Sequence, residues 1–392
     1  MLHAFVEVRV PTFAMKVYDL QWFTTFAMSY DEAAEALAGD GIDTVLTQNR
    51  IDPLPNSGVD QRDYLSRFGD HLSSYRDGAW VEALRRRGLR VLQTSAVLFD
   101  PAALERYPDA RPIDANGEPA RPVDWYVGIC PTHEVYLDEK LSKLDRVAEE
   151  LAPDGLFLQF IRFPGFWENW TWSPDYEFSN ADRFCFCDRC RSRFAAEQNI
   201  QLPAGDAASQ AAVILDHHGD AWTAWRCGVI AGIVGRVRSL PSVSRRGIPL
   251  MINTLPFPDS DFGGQAVRRT VAAQDLALLA DHAQGFELMT YLQILNRPVS
   301  WMPAVLDRAR AELTGRDSQV VCTLQVDTLY TEGVHGARQR PAIVTADDLW
   351  EAGSSALGAG ADGLVFYHWT DILVDEARDG RKRAVLRAIT GV

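Results

Sequence analysis

The sequence predicts an α/β fold, a (β/α)8 TIM barrel with long loop insertions after strands 3 and 4. Eight short runs rich in β-branched and aromatic residues recur along the 392 residues, and they are largely apolar, as strands covered on both faces are. Amphipathic stretches with helical spacing lie between most of them, which is typical of alternating strands and helices in a barrel. No Gly-x-Gly-x-x-Gly turn follows any run, so an open doubly wound sheet is less favoured.

The predicted elements alternate along the chain. The predicted strands are Tyr18–Phe26, Thr44–Thr47, Arg90–Phe99, Gly155–Phe163, Pro249–Leu255, Gly285–Leu295, Val320–Val326 and Gly363–Trp369. The predicted helices are Asp31–Ala38, Gly78–Arg87, Thr132–Leu151, Ala221–Leu240, Ala266–Ala280, Met302–Leu313 and Thr345–Ala359. Asp31 and Thr345 are predicted to cap their helices at the N-terminus.

A single catalytic barrel domain is predicted over residues 17–392, preceded by an N-terminal extension over residues 1–16 in which Met15 is an alternative start. Charged residues interrupt the N-terminal apolar run, so it does not have the pattern of a signal peptide. No run of about 18 uncharged apolar residues occurs, so no membrane span is predicted. We therefore expect a cytoplasmic protein.

The charge balance bears on the partners of the chain. Asp and Glu number 53 against 39 Lys and Arg, which gives a formal net charge of −14. An acidic surface repels phosphates, so we expect neither nucleic acid nor an anionic membrane surface as a partner. A chain of this length can bury its own core, so a homo-oligomer is an alternative to a monomer and not a requirement.

A cluster of cysteines is the most specific local pattern. Cys185, Cys187 and Cys190 lie within six residues, so their thiolates can converge on one ion. Cys130 is the best candidate for a fourth ligand. Four cysteine ligands leave no open position, so the prediction is a structural zinc that joins the loops after strands 3 and 4. The alternative is a group of partly buried thiols without metal.

The order of these motifs carries a resemblance over roughly residues 17–390. A Cys-Pro pair precedes helix 3, and strand 4 is followed by an aromatic-acidic loop and the Cys-x-Cys-x-x-Cys cluster. This order resembles the zinc-containing microbial β-galactosidases with a TIM barrel. A group of uncharacterised glycoside-hydrolase-like barrels is more similar. The segments that carry this second likeness are Leu158–Pro164, Trp167-Glu168, Tyr291–Gln293 with Trp301, Gln325–Asp327 and Gly363–Trp369.

The resemblance implies that the chain is a glycoside hydrolase that cleaves a small glycoside or oligosaccharide between two carboxyl groups. Active sites of such barrels lie at the C-terminal ends of the strands. Glu168 is predicted to be the acid because neighbouring tryptophans can desolvate it. Asp327, at the end of strand 7, is the predicted nucleophile or base, with Glu332 as its competitor. Glu287 is predicted to be either a paired structural carboxylate or a catalytic one.

The predicted carbohydrate contacts lie at the same strand ends. Trp167, Trp170 and Trp172 offer flat apolar faces for sugar rings, although a loop packed by its own aromatic residues is the alternative. Arg162 is expected to hold a carboxylate ionised or to bind a sugar hydroxyl, or to form a salt bridge inside the barrel mouth. The remaining predicted contacts are Asn49, Arg50, Asn253, Tyr291, Gln293, Gln325, His368 and Trp369.

Two residue differences from the resembled families leave other functions open. The Asn-Glu pair that ends strand 4 in the β-galactosidases is replaced by Ile161 and Arg162. Gln159 stands where the wider group often has Asp, which favours a non-catalytic glycan-binding barrel as an alternative. A metal-dependent isomerase or a lyase is a third reading, for which Glu287, Asp327 and His368 are the available residues. No organic cofactor is expected.

Overall fold

The structure is a computed structural model, and it describes residues 12–55, 62–123, 125–171, 176–329 and 343–392. Its strands are β1 (Thr12–Val17), β2 (Thr44–Thr47), β3 (Arg90–Ala96), β4 (Gly155–Gln159), β5 (Leu250–Thr254), β6 (Gly285–Leu288), β7 (Gln319–Gln325) and β8 (Gly363–Tyr367). All neighbours pair in parallel, and β1 also pairs with β8, so the sheet closes into a barrel. The predicted (β/α)8 fold is confirmed.

Helices follow the strands around the barrel. They are α1 (Gln21–Thr24), α2 (Tyr30–Gly39), α3 (Arg62–Ser73), α4 (Asp77–Arg86), α5 (Pro101–Arg106), α6 (Glu134–Leu151), α7 (Asp188–Glu197), α8 (Ala207–Arg238), α9 (Pro241–Arg246), α10 (Val267–Thr270), α11 (Leu276–Leu279), α12 (Met302–Glu312), α13 (Ala346–Gly358), α14 (Trp369–Glu376) and α15 (Arg381–Thr390). Among the described residues no helix has the length and hydrophobicity needed to cross a bilayer, and the cytoplasmic location stays a prediction.

The predicted first strand is wrong. Residues Tyr18–Phe26 do not form a strand, and part of this segment is helix α1, whereas β1 lies upstream of it. Residues 12–16 therefore belong to the barrel, so its predicted beginning at residue 17 is too late; residues 1–11 lie outside the described part of the chain. A start at Met15 would remove half of β1. Lys16 is the reason for this error: it interrupts the apolar run of β1, and a lysine is rarely buried inside a strand.

Two details of the helices also differ from prediction. The predicted helix Ala266–Ala280 is two short helices, α10 and α11, and Ala273 between them has a positive φ of 58° that a continuous helix does not allow. Ser29, and not Asp31, caps α2 and forms a capping box with Glu32. Thr345 caps α13 as predicted.

Two layers of side chains fill the barrel interior. The lower layer is apolar and consists of Ala14, Leu46, Leu92, Phe157, Val321 and Val365. Side chains of a strand alternate between faces, so the residues two positions further along also face the interior. These are mostly polar: Lys16, Gln48, Thr94, Gln159, Thr323 and Tyr367. The interior thus changes from apolar to polar toward the C-terminal ends of the strands.

Candidate active site

A cavity of about 360 Å³ opens at the C-terminal ends of the strands, above the polar layer. Its described polar wall residues are Tyr18, Asp19, Gln159, Arg162, Glu168, Asn253, Tyr291, Tyr367 and His368. Its described apolar wall residues are Leu54, Pro55, Ala96, Phe99, Trp125, Phe160, Trp167, Met289, Ile294 and Leu329. Predominantly apolar and aromatic walls with a few polar groups are typical of a small-molecule site.

Two of the described wall residues are carboxylates. Asp19 follows β1 and is 9% exposed; it accepts hydrogen bonds from the Gln21 N–H at 2.9 Å and from the Thr370 hydroxyl at 2.8 Å. Glu168 lies in the loop after β4 and is 6% exposed. The preceding residue, Trp167, stacks on Tyr291 with ring centroids 6.1 Å apart. Two hydrogen bonds therefore hold Asp19, and the stacked Trp167 ring anchors the loop that carries Glu168.

A buried ion pair lies beneath the cavity. Lys16 Nζ is 2.7 Å from Glu287 Oε1, and neither side chain is exposed. Lys16 also donates to the Tyr291 hydroxyl at 3.1 Å, and the Asn253 amide donates to the other Glu287 oxygen. Burial lowers the pKa of Lys16, although the charge of Glu287 opposes this shift. The pair thus supports two wall residues, Asn253 and Tyr291, from below.

Two tyrosines of the wall, Tyr18 and Tyr367, are held in their protonated form. Burial raises the pKa of Tyr18 well above its ordinary value, and the charge of Glu287 raises it further. Burial also raises the pKa of Tyr367, and the negative charges of Asp371, Asp19 and Glu168 add to this effect. The Gln159 amide donates to the Tyr18 hydroxyl. The phenols therefore remain available as hydrogen-bond donors at neutral pH.

Six of the predicted site residues line this cavity. They are Arg162, Trp167, Glu168, Asn253, Tyr291 and His368. Two more, Asn49 and Arg50, line a second cavity of about 690 Å³ that shares the wall residues Leu54 and Pro55 with the first. The predicted residues Trp172 and Glu332 lie outside the described part of the chain.

The structure places the other predicted residues away from the cavity wall. Asp327 forms an ion pair with Lys382 of α15 at 2.8 Å, and Glu287 lies beneath the wall. Gln325 donates to Gln293 at 2.6 Å, and these two side chains bond to each other beside the barrel mouth. Trp170 and Trp369 are 2% and 1% exposed and pack in aromatic clusters, with Phe178 and Trp22 respectively.

Sequence reasoning missed Tyr18, Asp19 and Tyr367 as wall residues. Tyr18 and Asp19 were assigned to the interior of a strand, because the first strand was placed too late in the chain. Tyr367 lies in the last strand as predicted, and period-two alternation from Val365 directs its side chain into the barrel. A strand 1 drawn through Lys16 would have placed Asp19 at a strand end.

The four predicted cysteines do come together. The Sγ atoms of Cys130, Cys185, Cys187 and Cys190 all lie within 4.8 Å of one another, and all four side chains are buried. Cys130 Sγ is 3.6 Å from the Sγ atoms of both Cys187 and Cys190. Cys130 precedes α6 and the other three lie at the start of α7, so the cluster joins the loops after β3 and β4. A buried cluster of this kind could hold a metal ion.

Comparisons with solved structures agree with this architecture. The PgaB (BpsB) glycoside hydrolase domain from Bordetella bronchiseptica matches with a TM-score of 0.67 at 14% identity, over 97% of this chain and 99% of that one. The chain shares its (β/α)8 barrel fold with this glycoside hydrolase domain. The catalytic domain of a β-amylase from Paenibacillus polymyxa matches with a TM-score of 0.53 at 10% identity, over 96% of this chain and 97% of that one.

A β-galactosidase from Halorubrum lacusprofundi shares this glycoside hydrolase fold. It matches with a TM-score of 0.58 at 12% identity, over 97% of this chain, and this chain spans 57% of the length of that enzyme. The predicted likeness to glycoside hydrolase barrels is thus confirmed at the level of the fold. No protein-family model matches the chain, and no curated protein matches its sequence.

Proposed function

We propose that the chain is a glycoside hydrolase that uses Glu168 as its acid and Asp19 as its nucleophile or base. The observation that carries this proposal is the pair of carboxylates in the wall of one cavity at the C-terminal mouth of the barrel. Hydrolysis of a glycosidic bond in most such enzymes needs two carboxyl groups that flank the bond. The glycoside hydrolase fold of the chain supports the same reaction.

The surroundings of each carboxylate suit its proposed role. Glu168 is 6% exposed, so little water reaches its carboxyl group, which suits a general acid. Asp19 accepts hydrogen bonds from the Gln21 N–H and the Thr370 hydroxyl, which fix the position of its carboxyl group in the cavity wall. Asp19 takes the place that the sequence had assigned to Asp327.

The two cavities suit a carbohydrate longer than one unit. Ligand pockets commonly have volumes of about 300–1,000 Å³, and both cavities are within this range. Leu54 and Pro55 belong to both walls, so the two cavities are neighbours at the barrel mouth. Asn49 and Arg50 would then contact the sugars that are not cleaved. We therefore propose an oligosaccharide substrate.

Hydrolysis of a panel of 4-nitrophenyl glycosides and reducing-end-labelled oligosaccharides tests the proposal. We expect the purified protein to release nitrophenol or shortened oligosaccharides from at least one member of the panel. A protein that binds members of the panel without cleaving any of them would instead be the glycan-binding barrel, the alternative that Gln159 in the cavity wall favours. The metal-dependent isomerase alternative would need a group of metal ligands at the barrel mouth. Within the described ranges, the cysteines are the one group of three or more His, Cys, Asp or Glu side chains close enough to share an ion.

Replacement of Asp327 by Asn is expected to leave hydrolysis close to the wild-type rate. Burial raises the pKa of Asp327, but hydrogen bonds from Lys382 and the Thr328 N–H outweigh burial and lower it. The ion pair therefore stabilises the fold above pH of about 4, and this contribution is lost as the pH falls through the lowered pKa. Because Asp327 is one-third exposed, we expect a loss of under about 1 kcal/mol at pH 7, measured by urea unfolding at pH 7 and pH 3. A large loss of activity would restore Asp327 as a catalytic residue.

The cysteine cluster is proposed to bind one structural zinc ion. Tetrahedral zinc with bonds of about 2.3 Å places its sulfur ligands about 3.8 Å apart, close to the 3.6 Å separations of Cys130 from Cys187 and Cys190. All four side chains are buried, so the thiolates that bind metal would be shielded from water and from exchange with it. Four ligands leave no position for substrate, so the metal would stabilise the two loops.

Replacement of Cys130 by Ala is expected to remove the zinc and to lower the stability of the protein. Metal bound only by the folded state contributes about 4 kcal/mol when free metal exceeds its Kd 1,000-fold. Metal analysis should give one zinc per wild-type chain, and thermal unfolding should occur at a lower temperature in the variant. Cys322→Ala is the matched control, because Cys322 is buried in β7 and burial raises its pKa to about 12. Wild-type protein without zinc, prepared without chelator, would contradict this prediction.

A further inference from the structure

Arg162 is a buried arginine whose charge has no oxygen partner among the described residues. It lines the cavity, is 4% exposed, and its buried Nε has no hydrogen-bond partner. Three other described arginines are equally buried: Arg191 pairs with Asp188, Arg226 donates to backbone carbonyls, and Arg268 pairs with Glu312. A buried charge normally has such a partner, so its absence at Arg162 points to a ligand.

Aromatic rings hold the Arg162 guanidinium in place. Its central carbon lies 5.0 Å from the centroid of the Phe160 ring and 5.7 Å from that of Tyr126. At these distances the rings attract the cation through their π-systems and supply no oxygen acceptor. The rings therefore hold the cation in the wall, and the cavity is the space left for an oxygen acceptor.

We propose that Arg162 binds the carboxylate of a hexuronic acid residue in the substrate. This inference rests on the proposed function, because it names the class of glycoside that the cavity accepts. A guanidinium edge offers two parallel N–H donors, which match the two oxygens of a planar carboxylate. One carboxylate also balances one guanidinium charge, whereas a phosphate dianion would add negative charge to a wall that already contains Asp19 and Glu168.

Arg162 and the proposed acid belong to the wall of one cavity. Both residues line the same cavity, and both influence the Tyr126 phenol. Burial raises the pKa of Tyr126, the Arg162 charge lowers it, and the Glu168 charge raises it. A sugar whose carboxylate binds Arg162 would then occupy the cavity that Glu168 also lines.

Calorimetric binding to Glu168→Gln protein tests the subsite without requiring turnover. The probes are D-glucuronate, D-galacturonate and D-mannuronate, each compared with its neutral hexose. We expect at least one hexuronate to bind about 30-fold more tightly than its hexose, as hydrogen bonds to a charged group allow. Arg162→Met should abolish this preference, and Arg162→Lys should keep part of it because the charge remains without the planar fork. Arg316→Met, which removes an exposed arginine paired with Asp281, should not change it.

The outcomes separate the subsite from the proposed function. Hexuronate binding that depends on Arg162 in a protein that hydrolyses no glycoside would support the subsite and overturn the hydrolase. Hydrolysis of neutral glycosides with equal binding of hexuronates and hexoses would overturn the subsite and support the hydrolase. Tighter binding of glucose 6-phosphate or galactose 6-sulfate than of any hexuronate, or binding of none of these anions, would overturn the carboxylate assignment. The carboxylate assignment would also be overturned if Arg162→Met weakened the binding of the neutral hexose as much as it weakened the binding of the hexuronate.

Discussion

Glu168→Gln is expected to lower kcat for glycoside hydrolysis by about 10²- to 10⁴-fold, the usual contribution of a positioned acid or base. The amide has nearly the shape of the carboxyl group but cannot donate the proton that the leaving oxygen needs. Glu168 follows Trp167 in the cavity wall, so the substitution keeps the packing of the loop and removes only the acid. Initial rates on the best substrate of the panel measure the effect.

Glu177→Gln is the matched control for this substitution. Glu177 follows β4 in the same long loop, and its side chain is exposed. We expect its variant to hydrolyse the substrate at the wild-type rate. The melting temperature of Glu168→Gln should equal that of the control, so that a rate loss is not a folding defect. Equal rates for both variants would show that Glu168 is not the acid.

Lys16→Met is expected to destabilise the protein by about 3–5 kcal/mol, because it leaves the buried Glu287 carboxylate without its cation. Neither member of the pair is exposed, and Glu287 also accepts from Asn253 in the cavity wall. Urea unfolding measures the loss as a change in the free energy of unfolding. The double variant Lys16→Met/Glu287→Gln should be more stable than Lys16→Met alone, since it contains no unpaired charge.

An exposed ion pair provides the comparison. Arg316 and Asp281 are 2.6 Å apart, and their side chains are 43% and 48% exposed. Arg316→Met should therefore change the free energy of unfolding by less than about 1 kcal/mol. A Lys16→Met protein as stable as this control would contradict the buried pair as a support of the cavity floor.

The barrel could be predicted because most of its strands are buried on both faces. Runs such as Thr44–Thr47 contain no side chain that interrupts the apolar pattern, and β2 has the predicted bounds. The first strand could not be found in this way. Lys16 is tolerated in β1 only because Glu287, far away in the sequence, neutralises it inside the barrel. The hydropathy pattern of one segment does not show that a residue far away in the sequence will pair with a charge in that segment.

The candidate site could be predicted only where neighbouring residues in the sequence mark it. The cysteines could be predicted because three of them are neighbours in the sequence, and Glu168 because the tryptophans beside it mark its loop. Asp19 was missed because its strand was misplaced. Asp327 was favoured because it ends a strand, but a strand end does not reveal that Lys382 of α15 reaches its carboxylate. The direction of a loop side chain depends on its contacts with distant segments, and the sequence of the loop alone does not show these contacts.

The most direct test of the two-carboxyl proposal is a double-mutant cycle on glycoside hydrolysis with Asp19→Asn and Glu168→Gln. Residues that act as a unit on one bond give non-additive losses. We predict that each single variant loses most of the wild-type rate and that the double variant is about as slow as the slower single variant, with all three proteins folded. Two results would contradict a shared role of Asp19 and Glu168. One is a double variant whose rate loss equals the product of the two single losses, and the other is a double variant that hydrolyses the substrate at close to the wild-type rate.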